Sequence, residues 1–272
     1  MPELPEVETA RRGLAPVLVG ARIRTLRVHR RDLRWPIPGG LEARLRGRRI
    51  EALERRAKYL LLRTACGSAL IHLGMSGRLG LHRGGPGPPG PHDVWDLCLD
   101  GGTVLRYTDP RRFGALLWGG REPGRHPRLA SLGPEPLEAS FSGESLQRKA
   151  RGRRLAVQAF LMDSRVVAGI GNIYAQEALY RAGVRPGRAA GRLSRREWEA
   201  VAAALREVLE EALRAGGTTL RDYRRQDGSP GWFQQELRVY GRQGEPCRAC
   251  GSRLRGRRLG GRSSVWCSTC QH

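Results

Sequence analysis

Lysine is nearly absent from this 272-residue chain: Lys58 and Lys149 are the only two among 49 basic residues. Guanidinium groups stay protonated and do not attack a carbonyl carbon, so arginine cannot stand in as an amine nucleophile. Any imine with a substrate must therefore use one of these lysines or the amine at the chain start. Long apolar runs are also missing. None approaches the ~20 residues that cross a bilayer, and the acidic N-terminus lacks the basic-then-apolar layout of a signal peptide. A soluble, cytoplasmic protein is expected. There is no internal repeat.

Positive charge is abundant. The 49 Lys plus Arg outnumber 26 Asp plus Glu, for a formal charge of +23. The excess is spread along the chain rather than held in a tail, which points to a polyanion, above all nucleic acid. An arginine-rich solvated surface accounts for the choice of arginine over lysine but not for the sign.

The chain opens Pro2-Glu3-Leu4-Pro5-Glu6. Removal of Met1 would leave Pro2 as a free secondary amine. Such a group titrates near ~7.7–8.0 and is partly nucleophilic at neutral pH. Glu3 lies beside it, and Pro5 suits the first turn of a helix whose apolar stripe is Val7, Ala10 and Leu14. The plain alternative is an ordinary helix start with acidic residues complementing the dipole.

Residues 20–118 read as short strands separated by turns, including Tyr59-Leu60-Leu61-Leu62 and Ala69-Leu70-Ile71-His72-Leu73, and indicate a β-sandwich. Gly84 to Pro91 is a loop, and Gly, Pro and charge over 119–136 mark a linker. Helical periodicity follows. Ser194 and Glu197 form a capping box, with Leu193 and Trp198 as a staple, before a buried face of Val201, Leu205, Val208, Leu209 and Ala212. Upstream, helices around Val157–Leu161 and Ile173–Ala182 flank Gly169-Ile170-Gly171-Asn172, with Asn172 expected as N-cap. Residues 218–236 read as a long functional loop, of the kind that serves as a lid.

Of six cysteines, Cys66 and Cys98 read as small buried hydrophobes. Cys247-x2-Cys250 and Cys267-x2-Cys270 have the spacing of a closed tetrahedral zinc site around a Gly260-Gly261 hairpin turn. One structural Zn2+ is expected, because so small and polar a unit has little core of its own.

Together these segments resemble the formamidopyrimidine-DNA glycosylase family. The likeness spans the chain: Pro2-Glu3-Leu4-Pro5-Glu6-Val7-Glu8-Thr9, Arg56-Ala57-Lys58-Tyr59-Leu60-Leu61, His72-Leu73-Gly74-Met75-Ser76-Gly77, Tyr107-Thr108-Asp109-Pro110-Arg111-Arg112-Phe113-Gly114, Gly169-Ile170-Gly171-Asn172-Ile173-Tyr174-Ala175 and the four-cysteine finger. The resemblance implies an α+β multidomain protein. Its parts would be a catalytic β-sandwich domain with an N-terminal helix (1–118), a linker (119–136), a helix-two-turns-helix domain with a lesion-capping loop at 218–236 (137–236) and a zinc finger (237–272). It implies a base-excision repair enzyme, expected as a monomer, acting on damaged or abasic duplex DNA, with the DNA between the domains. Pro2 would attack C1′ of an extruded oxidised purine nucleotide, Glu3 would assist base loss and Glu6 would support the helix start. Lys58 would assist β-elimination. Arg262 matches the residue associated with δ-elimination, and a bidentate clamp on phosphate is the role its chemistry allows. His92, Arg111, Arg153, His72 and Asn172 fall at DNA-contacting positions, and Met75, Arg111 and Phe113 resemble a trio that fills the gap left by an extruded base.

Two positions depart from the family pattern. Gln158 and Arg221 stand where lysine is frequent, which bears on lesion preference. The readings that compete are an endonuclease VIII-like enzyme for oxidised pyrimidines and a non-catalytic zinc-finger DNA-binding protein. Leu4, the Met75-Arg111-Phe113 set and the long loop favour the purine branch, and the intact Pro2-Glu3 pair with Lys58 favours catalysis.

Overall fold

A computed structural model describes residues 2–217 and 237–272. Helix α1 (Leu4–Leu18) begins as expected, with Pro5 in its first turn, and buries Leu4, Val7, Ala10, Leu14 and Leu18 on one side. Burial of side chains of this size stabilises by roughly 1.5–3 kcal/mol each, which is what fixes the helix start. Strands β1 (Ile23–Val28), β5 (Arg78–Arg83), β6 (Asp93–Leu99) and β7 (Thr103–Thr108) form one antiparallel sheet in the order β1-β6-β7-β5. Strands β2 (Ala52–Arg56), β3 (Tyr59–Thr64), β4 (Gly67–His72) and β8 (Ala115–Gly120) form the other, in the order β2-β3-β4-β8.

Leu60 and Leu62 of β3, Ile71 of β4 and Leu116 of β8 join Ile23, Leu26, Leu97, Leu99, Leu105 and Tyr107 of the first sheet in one core, to which α1 adds Val7, Leu14 and Leu18. Leu61, one residue out of phase, is buried outside that cluster, as the two-residue period of a strand requires. The sandwich expectation is met. One short helix inside it, α2 (Leu41–Leu45), has no periodic signal in the sequence. Cys98 is buried as expected, but Cys66 is only half-buried: it sits in the tight turn between β3 and β4, where a side chain cannot reach the core. The stretch read as a linker holds the end of β8, a single 3-10 turn and the four-residue helix α3 (Pro127–Ala130).

Residues 2–130 with 216 and 217 form one compact unit, and residues 131–215 with 237–272 form a second. The second contains helices α4 (Gly143–Ala150), α5 (Val157–Leu161), α6 (Asn172–Arg181) and α7 (Arg195–Arg214), followed by strands β9 (Arg255–Leu259) and β10 (Arg262–Trp266). The capping box of α7 is present: the Glu197 amide donates to Ser194 Oγ at 3.3 Å, and the Ser194 amide donates to Glu197 Oε2 at 2.7 Å. Its face of Trp198, Val201, Leu205, Val208 and Leu209 is buried. A Cβ on Gly143 would come within 2.5 Å of the Glu199 amide, so the glycine is what lets α4 approach α7 so closely.

The N-cap of α6 is Gly171, in extended conformation, and not Asn172. Asn172 is the first helical residue, and its side chain is drawn to partners far away in sequence. Residues 218–236, read from the sequence as the capping loop and carrying Arg221, lie outside the described residues.

Candidate functional site

Pro2 and Glu3 are both buried at the head of α1. The Glu3 amide donates to Glu6 Oε2 at 2.8 Å, so Glu6 closes the first turn and fixes the residue beside Pro2. One turn further on, the Glu8 carboxylate gathers Arg11 at 2.8 Å, Arg12 at 3.0 Å and Arg55 at 3.2 Å. Burial alone would raise the Glu8 pKa, but hydrogen bonds from Arg11 and Arg12 and the charges of Arg11 and Arg55 outweigh it and hold the group below the ordinary carboxylate range.

Arg55 is in β2, and its Nη1 donates to the carbonyl of Ala57 at 3.0 Å. Ala57 and Lys58 are the two turn residues between β2 and β3, closed by the pair Arg56 and Tyr59. Ala57 takes a left-handed φ of 51°, uncommon for a residue with a side chain, while its methyl group is buried. A path of direct contacts therefore runs from α1 through Glu8 and Arg55 to the backbone that presents Lys58.

The loop after β4 and the loop after β7 are joined by one carboxylate. Asp109 is 1% exposed. It accepts the Ser76 hydroxyl at 2.7 Å, the Tyr107 hydroxyl at 3.1 Å, the Gly114 amide at 2.8 Å and the Arg111 amide at 3.3 Å. Burial, with the neighbouring Asp109 charge and hydrogen bond, pushes the Tyr107 phenol well above its usual pKa and keeps it a donor. Glycine makes the approach possible: a Cβ on Gly114 would lie 1.8 Å from the Tyr107 oxygen, and one on Gly74 would lie 2.5 Å from the Gly114 nitrogen.

These loops carry Met75, Arg111 and Phe113. Phe113 is 41% exposed, with the Arg111 guanidinium 5.1 Å from its ring centre, so it is not a core residue. His72, at the end of β4, accepts the Gly74 amide on Nδ1 at 3.0 Å. Burial and the charges of Lys58 and Arg34 pull its pKa down to about 4. His72 is thus a neutral imidazole with Nε2–H as its donor. His92 is exposed in the turn before β6.

In the second unit the polar centre lies between α6 and the hairpin. Asn172 Nδ2 donates to the Ser263 carbonyl at 3.0 Å, as does Gln176 Nε2 at 3.0 Å. Gln176 Oε1 accepts the Val265 amide at 2.7 Å, and Gln158 Nε2 donates to Asn172 Oδ1 at 2.6 Å. Arg262 is exposed beside Gly260-Gly261, whose positive φ values of 55° and 77° fit a two-residue hairpin turn. Arg153 is exposed after α4. Lys149 is committed elsewhere: its ammonium donates to the carbonyls of Arg165 at 3.0 Å and Val166 at 3.2 Å.

The sulfurs of Cys247, Cys250, Cys267 and Cys270 all lie within 4.8 Å of one another. Tetrahedral Zn–S bonds of ~2.3 Å set neighbouring sulfurs about 3.8 Å apart, so four thiolates at this spacing fit one zinc with no open position. Val239, Leu254 and Val265 pack against Cys247 and Cys267 as the small core beneath them.

Residues 1–116 match the family profile described as formamidopyrimidine-DNA glycosylase N-terminal domain, residues 132–224 match the H2TH domain of the same enzymes, and residues 244–272 match the zinc finger found in FPG and IleRS. The chain is 56% identical to the formamidopyrimidine-DNA glycosylase of Stutzerimonas stutzeri and 54% identical to that of Alkalilimnicola ehrlichii, in both cases over the full length of each chain. The chain belongs to the formamidopyrimidine-DNA glycosylase family. Among solved structures, the MutM (Fpg) protein of Thermus thermophilus superposes with a TM-score of 0.88 at 44% identity, covering 99% of this chain and 98% of that one. A Lactococcus lactis FPG mutant in complex with Fapy-dG-containing DNA superposes with a TM-score of 0.92 at 30% identity, covering both chains fully. The family assignment carries the α+β architecture and the single structural zinc with it.

Sequence reasoning did not single out Glu8, Arg55, Asp109 or Gln176 as organisers of the candidate site. Asp109 carried a signal, a carboxylate among arginines in a Pro-containing turn. Gln176 carried none, because its hairpin partner is 87 residues away, and Glu8 showed its neighbours Arg11 and Arg12 but not Arg55, 47 residues on.

Proposed function

We propose that this chain is a bifunctional base-excision repair enzyme that removes oxidised purines, 8-oxoguanine and formamidopyrimidines, from duplex DNA and then cleaves the abasic strand. The observation that carries this reading is the fixed, buried head of α1 holding Pro2 and Glu3, tied through Glu8 and Arg55 to the turn bearing Lys58. Pro2 without Met1 attacks C1′, the glycosidic bond breaks, and the base leaves with the bonding pair and takes a proton, with Glu3 assisting as the sugar ring opens. The resulting iminium acidifies C2′–H. Loss of that proton breaks the C3′–O bond in β-elimination, and a second proton loss breaks the C5′–O bond in δ-elimination. Water then releases the enzyme from the sugar fragment. Lys58 assists the first elimination, and Arg262 clamps phosphate during the second.

His72, His92, Arg111, Arg153 and Asn172 act as DNA contacts, while Met75, Arg111 and Phe113 fill the space of the extruded nucleotide. The formal charge of +23 supports this partner. Among the described residues no helix is long and apolar enough to cross a membrane, and a cytoplasmic, DNA-associated enzyme is the placement that agrees with the activity.

Borohydride trapping on a duplex containing 8-oxoguanine tests the proposal. A covalent adduct is expected with processed protein and none with protein retaining Met1. An adduct that persists with Met1 in place moves the nucleophile to a lysine and sinks the role of Pro2. Cleavage of thymine glycol in preference to 8-oxoguanine would instead favour the endonuclease VIII-like reading, and the Fapy-dG-containing DNA held by the Lactococcus lactis relative weighs against it.

A further inference from the structure

Gln158 is 2% exposed, and its amide orientation is dictated by its neighbours. The Ser263 carbonyl can only accept, so Asn172 must turn Nδ2 toward it and Oδ1 toward Gln158. Gln158 must then present Nε2 to Asn172, which leaves Oε1 buried and without a hydrogen-bond partner among the described residues. An unsatisfied buried acceptor is costly, and in a native protein it calls for a donor.

Gln158 borders a cavity of about 220 Å³ whose other walls are Ala159, Met162, Asp163, Leu259, Gly260 and Arg262. Ala159, Leu259 and Gly260 have no polar side-chain atoms, the Met162 thioether is at best an acceptor, and Asp163 is an acceptor already held by Arg165 at 2.8 Å. Arg262 is the one wall residue with side-chain donors. Its guanidinium has no hydrogen bond among the described residues, and its backbone is held one residue away, where Ser263 receives both Asn172 and Gln176.

We infer that Gln158 is a positioning residue for Arg262: when the guanidinium turns across the cavity, Gln158 Oε1 accepts one of its N–H groups and sets the remaining ones toward phosphate. Through its two ends a single buried amide thereby fixes both Asn172 and Arg262. The inference rests on the proposed role of Arg262 as a phosphate clamp in δ-elimination.

The test is the product ratio at a preformed abasic site under single-turnover conditions, read for the full-length zinc-loaded protein. Gln158→Met keeps length and burial but removes donor and acceptor. It is expected to lower the δ- to β-product ratio at least about three-fold, with borohydride-trapped yield and thermal unfolding midpoint close to the parent. Arg262→Gln should shift the ratio in the same direction, and adding Gln158→Met to it should change the ratio less than two-fold further. A ratio moved by Arg262→Gln but unmoved by Gln158→Met overturns this inference alone. A ratio unmoved by either variant removes the clamp role of Arg262 and the inference with it. Equal, additive effects in the double variant would also overturn it, since two residues acting through one contact cannot be additive.

Discussion

Arg55 holds the carbonyl of Ala57 at 3.0 Å with one arm of its guanidinium. Its Nε holds Glu8 of α1 at 3.2 Å, so the helix that carries Pro2 and the turn that carries Lys58 share a rigid strut. Arg55→Met keeps the aliphatic stem and cuts the strut. With Lys58 in its proposed role, strand cleavage at a preformed abasic site should slow about ten-fold, because small displacements of a reacting group are costly. Rapid-quench kinetics check it, and circular dichroism should report an unchanged fold.

Asp109→Asn replaces one carboxylate oxygen with an amide that faces donors. Ser76, Tyr107 and Gly114 cannot all be satisfied, and a loss of about 1–3 kcal/mol is expected in denaturant unfolding. Excision of 8-oxoguanine from duplex should fall further than trapping at a preformed abasic site, since the role proposed for Met75, Arg111 and Phe113 belongs to the step in which the base is extruded. Equal losses in the two assays would remove the loops from that role.

His72 gives a pH signature with a definite sign. Its folded pKa of about 4 lies below the ~6.5 of an unfolded histidine. The unfolded chain therefore takes up the proton first as pH falls. The His72 contribution is complete above pH ~6.5 and is lost progressively between ~6.5 and about 4. NMR of its ring protons should show no titration at neutral pH. Because the ring is neutral, His72→Gln should weaken DNA binding without changing the slope of affinity against salt, whereas Arg262→Gln should lower that slope by nearly one ion.

One zinc per chain is expected by elemental analysis. Chelation or Cys250→Ser should unfold the finger and abolish tight duplex binding while the sandwich keeps its own melting transition, since the two rest on separate cores.

The main elements were legible where chemistry is local. Ser194 and Glu197 mark a helix start whatever surrounds them, the cysteine spacing defines a metal cluster, and Gly260-Gly261 defines a turn. Asn172 defeated that kind of reading. An asparagine before a helical pattern is a natural cap, but this one has a better offer from Ser263, 91 residues later, and moves one place into the helix. Asp109 and Glu8 were legible only in part: a sequence shows a carboxylate near arginines but not the distant donors, Ser76 and Arg55, that converge on it. Cys66 failed in the other direction, since apolar neighbours suggested burial and a tight turn prevented it.

Glu177 of α6 is 3% exposed and takes three successive amides, those of Arg238, Val239 and Tyr240, at 2.8, 3.0 and 2.8 Å. The stalk of the finger is thus gripped by the helix rather than by the metal. A chain stripped of its ion would keep that foothold, with Cys247 only seven residues beyond Tyr240. Recovery on adding zinc back should then be a local re-knitting from a moored end, insensitive to protein concentration and faster than refolding of the whole chain.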